Sequence, residues 1–99
     1  MLYWTNWNLN RPTIECSHLD GSNRVIVHKN LTMPHGLGLD VEEQKIYWAD
    51  NLRSGSLRIE SSFVNGSQRQ TIYEGKYLFI IFYDMFIKHD TFIRYCYIY

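Results

Sequence analysis

Short runs of β-branched and aromatic residues, parted by polar turn residues, fill the first three quarters of the chain. Runs of that length and make-up predict strands. In chain order they are "LYWTN" (2–6), "TIECSHL" (13–19), "RVIV" (24–27), "GLGLD" (36–40), "KIYWAD" (45–50), "LRIESSFV" (57–64) and "RQTIY" (69–73). Asp20-Gly21 and Asn65-Gly66 are hairpin-turn dipeptides, where glycine supplies a positive φ that a Cβ opposes. "GLGLD" is short, apolar and glycine-rich, which suits a strand crowded by its neighbours. In antiparallel sheets alternate connections lie at opposite ends. The tight links "DGSN", "VEEQ" and "NGSQ" therefore share one end. The links "NWNLNRP", "HKNLTMPH" and "NLRSGS" share the other, and bring Trp7, Arg11, His28, His35 and Arg53 with them.

The pattern occurs twice. Tyr3-Trp4 falls on Tyr47-Trp48, and Asn6 on Asp50, at a spacing of 44 residues. After one residue of slippage, "IECSHLDGSNRVIV" (14–27) falls on "IESSFVNGSQRQTI" (59–72) with six identities in fourteen positions. A period near 40–45 residues made of four short strands is that of a β-propeller blade. The expected fold is all-β, of antiparallel four-stranded blades, with repeat one at about 2–33 and repeat two at about 34–75. That amounts to roughly one and three-quarter blades, because repeat one lacks its innermost strand. Repeats of this kind bury their faces only against neighbours.

Tyr and Trp at neighbouring strand positions point to opposite sheet faces, so each can pack against an adjacent blade. A carboxylate at the strand end can accept hydrogen bonds from the next blade's backbone, and charged acceptors bind more strongly. Asp50 fits that role. Asn6 accepts without charge and predicts a weaker clamp in repeat one.

These residues resemble the YWTD propeller of the low-density lipoprotein receptor family. The likeness rests on "YWTN" and "YWAD", on "IECSHLDGSNR" and "IESSFVNGSQR", and on "MPHGLGLD" between them, and covers residues 2–75. It implies a fragment of a six-bladed propeller from a cell-surface receptor. It also implies extracellular protein ligands or neighbouring receptor modules as partners, and an endocytic role. A signalling role of the Wnt co-receptor kind is the nearest alternative. A truncated product without independent activity is another.

Composition sharpens this picture. From position 76 the chain changes to "KYLFIIFYDMFIKHDTFIRYCYIY", without Gly, Pro, Ala, Val, Ser or Asn. The expected third copy of the motif does not appear there. Residues 76–99 thus read as an atypical tail, either translated non-coding sequence or an aromatic strand pair; "YLFIIFY", if exposed, is an aggregation hazard. Asp84, Lys88, His89, Asp90 and Arg94 interrupt it as a membrane span. The start of the chain lacks the basic and apolar regions of a signal peptide, so membrane attachment is expected only through other parts of a receptor. A formal net charge of zero offers no long-range field for nucleic acid.

Candidate chemistry is sparse. No metalloprotease, phosphate-loop, dinucleotide or serine-hydrolase motif occurs, and no enzyme activity or cofactor is expected. Cys16-x-His18 lacks a third metal ligand nearby, and Cys16 with Cys96 sets no disulfide framework. Glu15 and Glu60 recur in register, as repeat structure does. Trp7, Arg11 and Arg53 are candidate ligand contacts, being of the types that dominate interface hot spots; the plainer reading of Trp7 is packing at its strand end. His28 and His35 on the same end could sense pH, or simply be loop histidines. Asn30-Leu31-Thr32 and Asn65-Gly66-Ser67 match the N-glycosylation acceptor, with Asn65 already useful to its turn.

Overall fold

The computed structural model describes residues 1–6, 10–76 and 97–98. Among these residues eight strands appear in order: β1 (Leu2–Asn6), β2 (Thr13–Ser17), β3 (Val25–His28), β4 (Pro34–Asp40), β5 (Lys45–Asn51), β6 (Ser56–Phe63), β7 (Gln70–Lys76) and β8 (Tyr97–Ile98). They form two four-stranded sheets, β3-β2-β1-β8 and β4-β5-β6-β7. We call the first blade one and the second blade two.

Pairing within each blade is antiparallel from β1 to β3 and from β4 to β7. The exception lies beside β1. There β8 pairs parallel, Thr5 opposite Tyr97 and Asn6 opposite Ile98. The edge expected to stay open in repeat one therefore carries two residues from the chain's end. The remainder of the aromatic tail, residues 77–96 and 99, lies outside the described residues.

The two repeats turn alike. Gly21 and Gly66 stand at φ of 86° and 91°. In each turn the glycine N–H donates to the carbonyl three residues back, His18 or Phe63. The side chain of Asp20, or of Asn65, accepts from the N–H and hydroxyl of the serine two residues on. These are three-residue hairpin loops with glycine in the left-handed position. The β5–β6 link has the same bonding, with Gly55 donating to Leu52. This link is as tight as those turns, since β6 begins at Ser56, and it lies at the opposite end of the sheet from them.

The core sits between the blades. Ile14 from blade one and Leu37, Ile46 and Trp48 from blade two form one buried cluster, with Tyr3, Val27, Leu31, Leu39 and Val64 packed around it. Tyr3 thus faces blade two, and Trp48 faces blade one. A second cluster, Ala49, Leu57 and Ile59 with Tyr73, lies on the other face of blade two. That arrangement follows from the register, where Trp48 is opposite Glu60 while Ala49 is opposite Ile59. Burying an aromatic side chain of this size stabilises by roughly 2–3 kcal/mol.

Candidate functional site

At the contact between the blades Trp48 is fully buried, and its indole Nε1–H donates to Glu60 Oε2 at 3.2 Å. Arg69 lies over the indole ring, 5.6 Å from its centroid. The same guanidinium donates to both Glu60 oxygens, Nε to Oε1 at 3.2 Å and Nη2 to Oε2 at 2.8 Å. It then crosses to blade one, where Nη1 donates to Lys29 O at 2.7 Å and Nη2 to Asn30 O at 3.3 Å. One planar fork thus joins a buried carboxylate, an aromatic face and two main-chain carbonyls.

Asp50 grips the same loop from below. Its Oδ1 accepts from Thr32 N at 3.0 Å and from Met33 N at 2.6 Å, and Oδ2 accepts from Thr32 N at 3.0 Å. The clamp expected of this carboxylate is present, with its direction corrected. It holds the loop arriving from blade one rather than the backbone of a following blade.

His28 closes the contact. Its ring lies 4.7 Å from that of Trp48, and Nε2 is 2.7 Å from Ser62 Oγ. Ser62 Oγ already donates its one proton to Phe63 O, so His28 Nε2 is the donor to Ser62. Burial holds the His28 pKa below the ordinary 6.5, and Arg69 adds to that, with Glu60 opposing.

Blade one repeats the arrangement. Trp4 is opposite Glu15 as Trp48 is opposite Glu60. Arg24 lies 5.5 Å from the Trp4 ring centroid and donates to Glu15 through Nε at 2.8 Å and Nη2 at 3.2 Å. Thr13 Oγ1 and Asn6 Nδ2 also donate to Glu15. These bonds, Arg24 first, hold the Glu15 carboxyl below its usual range against the opposing effect of burial. The outer half differs. The Arg24 side chain is 61% exposed, against 25% for Arg69. Beside it opens a cleft of about 670 Å³, lined by Asn6, Thr13, Glu15, Arg24 and Ile26 and by the loop residues Arg11 and Lys29.

The structure separates the positions singled out from the sequence. Tyr3, Trp4, Asn6, Tyr47, Trp48 and Asp50 all lie in the central strands of their blades. Arg11 is exposed at the cleft, and Arg53 is exposed at the β5–β6 turn. Trp7 lies outside the described residues, and His35 enters β4 opposite Ala49. His28 does not join the ligand face. It is 6% exposed, because its ring fills the space over Trp48. Asn30 and Asn65 are both exposed. Cys16 is a buried free thiol whose pKa burial pushes up. Among the described residues no three His, Cys, Asp or Glu side chains gather to hold a metal ion.

Arg24 and Arg69 were the residues that sequence reasoning passed over. Their signal was present: each follows its glutamate by nine residues.

Residues 1–41 match the family model described as low-density lipoprotein receptor repeat class B. The two mainly antiparallel sheets are a fragment of a YWTD β-propeller, with a class B repeat of the low-density lipoprotein receptor type over residues 1–41. This propeller segment is 43% identical over 77 residues to Protein cueball of Drosophila yakuba, a stretch covering 77% of the chain and 12% of that protein. Protein cueball of Drosophila grimshawi is 38% identical over the same share of the chain and 13% of its own length. A chain in the crystal structure of a nidogen/laminin complex matches with a TM-score of 0.65 at 35% identity, over 76% of this chain and 28% of that one. The YWTD segment therefore spans 12–13% of the length of these curated relatives. Among the described residues no helix is long and apolar enough to cross a membrane.

Proposed function

We propose that the chain works as an extracellular protein-recognition segment of a low-density-lipoprotein-receptor-like receptor that takes up its ligands by endocytosis. The observation that carries this reading is a class B repeat packed through a shared core against a second four-stranded blade, with Arg11 and Arg53 exposed on the links. Rigid frames with exposed loops are the usual carriers of recognition. Residues 1–75 form the propeller unit in this reading; of the tail, Lys76 ends β7 and Tyr97–Ile98 pair beside β1. Arg11 and Arg53 are its exposed contacts, with Trp7 and His35 as the further members of that end.

The reading includes glycosylation at Asn30. That side chain is exposed, and it is the Asn30 main-chain oxygen that Arg69 engages. Asn65 is the weaker acceptor, since its Oδ1 already takes bonds from the Ser67 N–H and hydroxyl. Loss of an N-glycosidase mobility shift in Asn30→Gln, and its persistence in Asn65→Gln, is the expected result.

The decisive experiment labels the tagged, full-length protein on intact cells with a membrane-impermeant biotin reagent. Label at the surface that moves to an internal, reagent-resistant pool within minutes supports receptor uptake. Surface label that stays put leaves recognition without uptake, and no surface label at all overturns the extracellular reading.

A further inference from the structure

The two N-glycosylation acceptor triplets are locked in different ways, and the difference bears on when each can be modified. In Asn65-Gly66-Ser67 the lock is local. Asn65 Oδ1 accepts from the Ser67 N–H and hydroxyl, two residues on, inside a hairpin turn of a kind that forms within microseconds. In Asn30-Leu31-Thr32 the lock comes from far along the chain. Arg69 Nη1 and Nη2 donate to the Lys29 and Asn30 carbonyls, and Asp50 accepts from the Thr32 and Met33 N–H groups. Leu31 packs against the core shared by the blades. Asn30 stands at φ 58°, so the folded triplet is bent at its acceptor residue.

We propose that Asn30 takes its glycan only before the Arg69–Asp50 clamp closes, so that docking of blade two on the 29–33 loop ends the reaction. The timing rests on the reading that Asn30 is glycosylated. In that reaction Asn30 Nδ2 bonds to the anomeric carbon of the first sugar. The bond from that carbon to a lipid diphosphate breaks, the amide gives up one proton, and nothing is oxidised or reduced. A transferase that reads the triplet has to bind its main chain and the hydroxyl two residues past the asparagine. In the folded chain that main chain is bonded on both sides, and such backbone is released only by local unfolding. Asp50 is made 20 residues after Asn30, and Arg69 39 residues after it. At about 5–20 residues per second, synthesis passes from Asn30 to Arg69 in roughly 2–8 s, and the triplet is open for that interval. The clamp can then close over a modified Asn30, because it uses the main-chain oxygen and leaves the side chain exposed.

The test uses the full chain behind a cleavable secretion signal, with Asn65→Gln so that Asn30 alone reports. Translated into sealed microsomes, this parent and every variant should gain an N-glycosidase-sensitive mobility shift. Each is then made without membranes, refolded, and offered to detergent-opened microsomes, which expose the transferase and its lipid-linked donor. There the parent should react about tenfold more slowly than Arg69→Ala, whose loop has lost a charged hydrogen bond. Arg24→Ala, the matching change in blade one, should react as slowly as the parent. Arg69→Lys, which keeps the charge and loses the fork, stands in if Arg69→Ala has lost its β-sheet circular dichroism. Equal rates for the parent and the Arg69 variant overturn the proposal and leave the glycosylation reading standing. So does an Arg24→Ala rate raised as far as that of the Arg69 variant. No shift for any version in sealed microsomes overturns glycosylation of Asn30 itself, and the timing with it.

Discussion

Blade one and blade two carry the same Trp–Glu–Arg arrangement, yet only blade two shows it covered. Trp48 is fully buried with its indole N–H satisfied by Glu60, and Arg69 reaches two carbonyls of the other blade. Trp4 and Arg24 repeat the stacking and the ion pair, and Arg24 remains mostly exposed. The comparison separates two jobs that one motif performs. The ion pair under the tryptophan is a property of a single blade. The clamp on a neighbour's main chain needs the neighbour.

The most severe way to test that separation is to remove the aromatic members. Trp48→Ala opens the inter-blade core and removes one of the donors to Glu60, and should cost about 4 kcal/mol. Domains of this size hold only about 5–10 kcal/mol in all, so the variant should be close to unfolded by circular dichroism in urea. Trp4→Ala should cost clearly less, since no inter-blade cluster depends on it; equal losses would erase the distinction. The strand-end clamps come next. Asp50→Ala removes the acceptor for the Thr32 and Met33 N–H groups and should cost about 3 kcal/mol. Asn6→Ala should cost less, about 1.5 kcal/mol, through its one bond to the Glu15 carboxylate.

The turn glycines sharpen the comparison at smaller scale. Both Gly21 and Gly66 have positive φ, so alanine should cost each about 1 kcal/mol. A Cβ on Gly66 would also come within 3.1 Å of Val27 O on blade one, while one on Gly21 meets nothing. Gly66→Ala should therefore be the worse variant in thermal melts. The mildest effect is on pH. The folded His28 has a pKa below 6.5, so the unfolded chain takes up the proton first. Its contribution is intact above pH 6.5 and is lost as pH falls through the lowered value. In blade two Tyr73 stands in that place, opposite Ile59 as His28 is opposite Ile14. His28→Gln should flatten the urea midpoint between pH 6.5 and 5. Glu15 adds a separate loss at lower pH, present in full above 4.5 and removed as acid protonates it away from Arg24.

Much of this was legible in the chain. The strands "LYWTN" and "KIYWAD", the glycine turns and the recurring motif follow from local rules, and each appears in the structure where its residues place it. The site was legible only in part. Asp50 was recognisable as a clamp because a carboxylate at a strand end needs donors. Its partners were not, because the direction of a hydrogen bond between blades depends on how the sheets lean. His28 misled for the same reason. A histidine at a strand end resembles a loop residue until a neighbouring sheet closes over it.

Sequence alone determined the blade: alternation set which side chains share a face, glycine set the turns, and a nine-residue spacing set Glu15 with Arg24 and Glu60 with Arg69. Only the tertiary structure decided which of two equal faces is covered. Burial and clamping are properties of a pair of surfaces, and no run of residues within one blade encodes what stands opposite it.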